Sequence, residues 1–389
     1  MYKLHTTCRA CRSTALTTVF DLGVMPLANA HVKLGDEQAG WAPLKVLMCD
    51  DCTLAQLSVV VDPAVLYSHY TYVTSQSKTM ARHFERIAGD LLFQSGLTKP
   101  TLLEIGSNDG TFLNYARDNG FGNILGIDPA ANLTVPPNCP TINGVFYEST
   151  AVQAKEQLGK VDVILARHVF CHVDDWHDFI KNLRHISHEK TVIAIEVPYC
   201  LDMLNTGEFD AIYHEHTSYM TKAGMAAALE GSGLRIDQIL NYDVHGGSIC
   251  FIIRPGIQTK MKRDVSLRQW QTFSNTALGR IHEVQIKVWD LVRDGKVIAG
   301  FGAPAKATVM INACRFTSRE IQFVTDTTPG KIGTMIPGTD IPIVDEKELY
   351  ERNPDYAVMF AWNYQQEIIS KHHKFRGKFI IPFPTLKIT

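Results

Sequence analysis

From residue 101 onward the chain alternates short, almost wholly apolar runs with stretches in which apolar residues recur every three or four positions. The runs near 101–106, 123–128, 161–166 and 190–197 are predicted to be strands covered on both faces, because such strands show no polar alternation. Helical periodicity follows the first run from Thr111 to Arg117 and separates the last two over 174–186, and a further helix is expected over 222–230. Two strand-like runs, 234–241 and 248–254, flank a short His-Gly-Gly turn and predict an antiparallel pair that closes the sheet. Pro255-Gly256 marks a boundary. A long helical pattern over 266–293 then leads to a second alternating series at 296–302, 321–326, 356–361 and 379–381. The fold class is therefore α/β: a central doubly wound sheet and a second, smaller Rossmann-like domain. The first 68 residues lack this alternation. They offer one strand leaving Thr53, and beyond them a tyrosine-rich passage leads into an amphipathic helix over 80–93.

The first turn of the central series is the most informative. Leu102-Leu-Glu-Ile-Gly-Ser-Asn-Asp-Gly110 is a strand that breaks into a Gly turn before a helix. A nicotinamide-binding turn would carry a second Gly where this chain has Asn108. Glu104 precedes the turn and would repel a pyrophosphate but suit a cationic ligand. S-adenosylmethionine, with its sulfonium and ammonium, fits. Gly106, Asn108 and Asp109 would line it, and Asp128, closing the second strand, would accept ribose hydroxyls.

Length, charge and cysteines sharpen this. At 389 residues the chain exceeds one ordinary core, and the pattern divides it into 1–68, 69–255 and 256–389. A formal charge of −2 argues against a nucleic-acid footprint. No apolar run approaches the ~20 residues of a membrane span, and the first residues lack the apolar core of a signal peptide. A cytoplasmic enzyme is the expectation. Of nine cysteines, five stand singly in apolar surroundings. The other four form two pairs, Cys8/Cys11 and Cys49/Cys52, whose short knuckles suit tetrahedral Zn²⁺. Four thiolates fill the coordination sphere, so a structural rather than catalytic zinc is expected.

The segment Asp210-Ala-Ile-Tyr213-His214-Glu215-His216-Thr-Ser-Tyr219 sets four polar or titratable side chains in a row. They are expected on a pocket rim, with a His as general base and Glu215 or Tyr213 orienting it or stabilising charge. His168 and His172, four residues apart after the third strand, could line the same cleft. The turn Gly300-Phe-Gly302-Ala-Pro-Ala-Lys306 opens a helix and could hold phosphate.

With these residues in view, the chain resembles the sugar C-methyltransferase family, S-adenosylmethionine enzymes that methylate C3 of nucleotide-linked 4-keto-6-deoxysugars. The resemblance runs nearly end to end. It includes both Cys pairs with Asp21-Leu-Gly-Val-Met-Pro-Leu-Ala-Asn29 between them, the passage to Ser77, Glu104 to Gly110 and Asp210 to Tyr219. It continues through His245-Gly-Gly-Ser248, Gly300 to Lys306, Pro337 to Pro342 and Ala361-Trp-Asn-Tyr364. It implies that Tyr213, Glu215 and His216 lie at the sugar with His216 as base, and that His172 and a tyrosine among Tyr67, Tyr70 and Tyr72 line the same pocket. It also implies substrate contacts from Ser77, His245 and Lys306, and a dTDP-linked deoxysugar whose nucleotide lies between the central and C-terminal domains. Lys306-Ala-Thr308 departs from the expected Lys-Gly-Asn, and Asp340 stands where relatives carry His. Two rivals share the cofactor site: an O- or N-methyltransferase of a sugar or small metabolite, and an RNA methyltransferase with a zinc module. The near-neutral charge speaks against the second.

Overall fold

The structure, a computed structural model, describes residues 1–37, 40–67, 78–130, 135–244 and 246–389. Its centre is a seven-stranded sheet made of β1 (Leu102–Ile105), β2 (Ile124–Asp128), β3 (Thr141–Asn143), β4 (Val161–Arg167), β5 (Ser187–Pro198), β6 (Leu234–Tyr242) and β7 (Ser248–Pro255). The order is β3-β2-β1-β4-β5-β7-β6. All neighbours are parallel except β7, which runs antiparallel to both β5 and β6. This is the class I methyltransferase arrangement. The expected closing hairpin is present, and one edge strand, β3, was not anticipated.

Alternate residues of the central strands enter two cores. Leu102, Val163, Leu165, Val192 and Ala194 pack on Phe84, Ile87 and Leu91 of the helix Lys78–Ser95. Leu103, Ile105, Ile164, Ala166, Ile193 and Ile195 pack on Phe179 and Leu183 of the helix Trp176–Ile186. Burial on both faces is why the runs read as continuously apolar. Strand order reverses between β1 and β4, which opens a crevice at their carboxyl ends.

At the N-terminus, strands Leu16–Pro26, Trp41–Cys49 and Ala55–Leu57 form an antiparallel sheet. Its fourth strand, Ser218–Tyr219, comes from the central domain. The strand expected after the second knuckle is split, and its second half, Val59–Val61, pairs with Tyr2–Leu4. The helix Leu267–Arg293 starts at a Ser266/Gln269 capping box and buries Trp270, Phe273, Ala277, Ile281, Val284 and Val288 along one stripe. That stripe joins Phe20, Val46 and Met48 of the N-terminal sheet to the C-terminal domain in one core. The C-terminal sheet places Ile343–Asp345, Val324–Asp326, Ile298–Phe301, Tyr356–Met359 and Lys378–Ile381 in parallel, with Lys387–Ile388 antiparallel at the edge.

Candidate active site

The two knuckles are near copies. In each, an amide four residues on returns to the first cysteine's carbonyl, Arg12 to Cys8 and Thr53 to Cys49, both at 2.9 Å. Arg12 and Thr53 both adopt positive φ. The four sulfurs gather within 4.8 Å of one another, with Cys8–Cys52 at 3.4 Å and Cys11–Cys49 at 3.5 Å. Bonds of about 2.3 Å to a tetrahedral Zn²⁺ would separate the sulfurs by about 3.8 Å, so the donor set fits the metal with a small expansion.

At the carboxyl end of β1 the chain turns through positive φ at Gly106, Asn108 and Gly110. A Cβ on Gly106 would collide with Val169 beyond β4, so the turn lies flat in the crevice as a backbone cradle. Gly106→Ala should therefore cost at least about 1–3 kcal/mol and weaken cofactor binding, which thermal denaturation and calorimetry would show. Asp128 ends β2 and accepts from the amides of Asn108 and Ala130, each at 2.8 Å. Burial raises its pKa against those two bonds. Asp109 Oδ1 accepts from Thr111 Oγ1 at 2.6 Å and from the Thr111 amide at 3.2 Å, at the start of the helix Thr111–Asp118. Glu104 is fully buried and pairs with Arg167 Nη2 at 3.1 Å. Burial pushes it up to about 7 against the pull of Arg167, and its Oε2 has no hydrogen-bond partner among the described residues. A backbone cradle beside an under-satisfied buried acid suits a cationic cofactor.

Across the crevice, residues 213–216 form a β-turn closed by His216 N–H on the Tyr213 carbonyl at 3.0 Å. The turn's ends meet: the Tyr213 hydroxyl lies 2.8 Å from His216 Nε2. His216 Nδ1 lies 3.0 Å from the Ala211 carbonyl, which fixes the proton on Nδ1 and leaves Nε2 to accept. Burial, then the neighbouring His172, hold His216 well below the usual imidazole range. His172 donates from Nδ1 to the Glu215 carbonyl at 2.6 Å, and its ring centre is 5.2 Å from that of His216. Cys171, His172 and His216 also fall within 4.8 Å, but Nε2 of His216 meets the tyrosine and both Nδ1 atoms meet carbonyls.

The turn's two central residues differ from expectation. They are not on a rim but buried against the N-terminal module. His214 Nε2 reaches the Ala42 carbonyl at 3.2 Å, and burial lowers its pKa to about 4. Glu215 accepts from Asn29 Nδ2 at 2.8 Å, and burial raises its pKa. These bonds make burial of the polar row tolerable. Asp210 is likewise buried, with Trp362 Nε1 donating to it at 2.9 Å. Burial lifts it to about 6 against the pull of Lys306.

Lys306, at the start of the C-terminal helix Ala305–Ala313, bonds Glu208 at 3.2 Å and Asn363 at 3.1 Å and lies over the Trp362 ring. Its charge is thus shared with a buried acid rather than offered alone to phosphate. The Gly-Gly turn has a steric reason, since a Cβ at Gly246 would come within 2.6 Å of the Glu208 carboxylate. Of the other expected site residues, Tyr67 ends the short helix Pro63–Tyr67, while Tyr70, Tyr72, Ser77 and His245 lie outside the described residues. Asn29, Arg167, Glu208, Trp362 and Asn363 were not singled out from sequence.

Three family models match in chain order: a zinc binding domain over residues 8–67, a methyltransferase domain over 76–239, and a C-methyltransferase C-terminal domain over 243–384. C-methyltransferase NovU of Streptomyces niveus is 32% identical across 98% of this chain and 96% of its own. Matches to solved structures are partial. An S-adenosylmethionine-dependent methyltransferase from Anabaena variabilis shares 14% identity over 46% of this chain and 84% of that one, with a TM-score of 0.35. A geranyl diphosphate C-methyltransferase from Streptomyces coelicolor shares 11% over 46% and 80%, with a TM-score of 0.34.

Proposed function

The chain belongs to the C-methyltransferase family and is an S-adenosylmethionine-dependent enzyme with a zinc-binding module, and from that premise we propose that its acceptor is C3 of a nucleotide-linked, dTDP-bearing 4-keto-6-deoxysugar. The observation that carries this reading is the half-buried Tyr213–His216 pair. An imidazole kept neutral, with Nε2 as its accepting atom, is a base held ready at neutral pH. Carbon methylation needs a carbon made acidic, and a ketone at C4 does that for the C3 proton.

When bound, S-adenosylmethionine supplies an electrophilic methyl on its sulfonium. Glu104, Gly106, Asn108, Asp109 and Asp128 would hold it. His216 Nε2 takes the C3 proton, and the Tyr213 hydroxyl, released from Nε2, turns to the enolate oxygen. Tyr213 is favoured over His172 as that donor because His172 Nδ1 already serves the Glu215 carbonyl. Glu215 acts by holding the turn on Asn29. Tyr67, Tyr70, Tyr72, Ser77, His245 and Lys306 are assigned to the nucleotide-sugar, and the chain to units 1–68, 69–255 and 256–389.

Two measurements follow. Deuterium exchange at C3 of the ketosugar in D₂O, with S-adenosylhomocysteine in the cofactor site, should occur without methyl transfer; its absence would sink the enolate mechanism. S-adenosylmethionine should bind more tightly as pH rises across the value of about 7 that burial gives Glu104, because only the ionised acid attracts a cation. Calorimetry should show this slope flattened in Glu104→Gln.

A further inference from the structure

A cluster away from the Tyr213–His216 pair has no part in the mechanism above. Glu196, near the carboxyl end of β5, is fully buried. His83, from the helix Lys78–Ser95, places Nε2 2.9 Å from both of its oxygens. His168, just beyond β4, places Nε2 3.3 Å from Oε1. Burial would push the Glu196 carboxyl up, but the His168 and His83 imidazoles beside it hold it well below the usual carboxylate range.

The backbone around His168 is shaped to make this contact. His168 has φ +53°, a conformation that costs a non-glycine residue energy and recurs where function requires it. Its amide donates to the Glu196 carbonyl at 2.7 Å. The next residue, Val169, fills the space left by the missing Cβ of Gly106. The Val169 carbonyl accepts from the His172 amide at 2.8 Å, and His172 in turn grips the 213–216 turn through the Glu215 carbonyl at 2.6 Å. One short run, 168–172, therefore touches the cofactor cradle at one end and the base's turn at the other, and its His168 end rests on Glu196 through both that residue's backbone carbonyl and its carboxylate.

We propose that Glu196 and His83 are positioning residues that act through His168 to set the distance between the cofactor cradle and the His216 turn. The role rests on the enolate reading. Loss of the carboxylate contact leaves the base in place on its own turn but lets the cradle and the acceptor drift apart. Proton removal, which needs only the base, should then outlast methyl transfer, which needs both reactants aligned.

The test compares C3 solvent exchange with methyl transfer on a nucleotide-linked 4-keto-6-deoxysugar in D₂O. Glu196→Gln should lower kcat for methylation by about 100-fold with KM nearly unchanged. Exchange should continue, so that exchanges per methylation rise at least about tenfold. Glu196→Asp should restore part of the coupling. His83→Gln, which leaves the His168 contact, should show a smaller effect in the same direction and serves if Glu196→Gln does not fold. Exchange and methylation falling in step, or neither falling, overturns the proposal. Absence of exchange in the native enzyme instead overturns the enolate reading, and this role with it, before any variant is made.

Discussion

Replacing His216 with Asn should lower kcat for methyl transfer by roughly 10²- to 10⁴-fold and abolish C3 exchange, while the affinity for S-adenosylmethionine stays within about twofold of native. Asn keeps a polar group against the Ala211 carbonyl but provides no base. The native pH profile carries the same signature. Burial and His172 hold His216 well below 6.5, so the imidazole is already neutral at pH 6.5 and activity should not fall there as it would for an ordinary histidine. The acid limb of kcat/KM should lie well below 6.5. A limb centred near 6.5, unchanged in the Asn variant, would remove His216 from the role of base. Tyr213→Phe should retain measurable exchange with a reduced kcat, since it removes the oxyanion donor and not the base.

Removing the zinc should have an effect of similar size by a different route. A structural Zn²⁺ contributes about 10–16 kcal/mol of apparent binding energy, as much as or more than the roughly 5–15 kcal/mol that hold a typical domain together. Without it the N-terminal sheet loses its knuckles. The 213–216 turn hangs from the N-terminal module at four points: the Ser218–Tyr219 strand on Ala55–Gln56, the Leu57 amide on the Thr217 carbonyl at 2.9 Å, Asn29 on Glu215, and His214 on the Ala42 carbonyl. Chelation, or Cys49→Ser, should therefore abolish methyl transfer. S-adenosylmethionine binding should survive in part, because the β1 cradle and Asp128 are built within the central sheet. Zinc release, activity and cofactor affinity measured on one sample would separate these. Full activity in zinc-free protein would mean that the module does not position the turn.

Much of this was legible in the sequence because parallel strands buried on both faces appear as unbroken apolar runs, as β1, β2, β4 and β5 do. The edge strand Thr141-Ile-Asn143 is too short and polar to stand out. The N-terminal strands Leu16–Pro26 and Trp41–Cys49 alternate over long, bulged segments, and their partner Ser218–Tyr219 lies far away in the chain. The row 213–216 was visible as chemistry, but its division of labour was not. A β-turn brings positions one and four together and sends the middle two outward, so Tyr213 meets His216 while His214 and Glu215 anchor to another domain. Glu196 did leave a mark, as a lone acid inside Val192-Ile-Ala-Ile-Glu-Val197, where only a partnered charge can be buried. Asn29 stood at the end of a motif shared with the family, but its role was not legible, because it depends on a contact across 186 positions. The five isolated cysteines are all buried, in keeping with small core residues.

The most direct test of the central claim is to follow a ¹³C-labelled methyl from S-adenosylmethionine onto a dTDP-linked 4-keto-6-deoxysugar by NMR. The account predicts a new methyl bonded to C3, with the C3 proton lost to solvent. A methyl on oxygen or nitrogen, with the C3 proton retained, would contradict it.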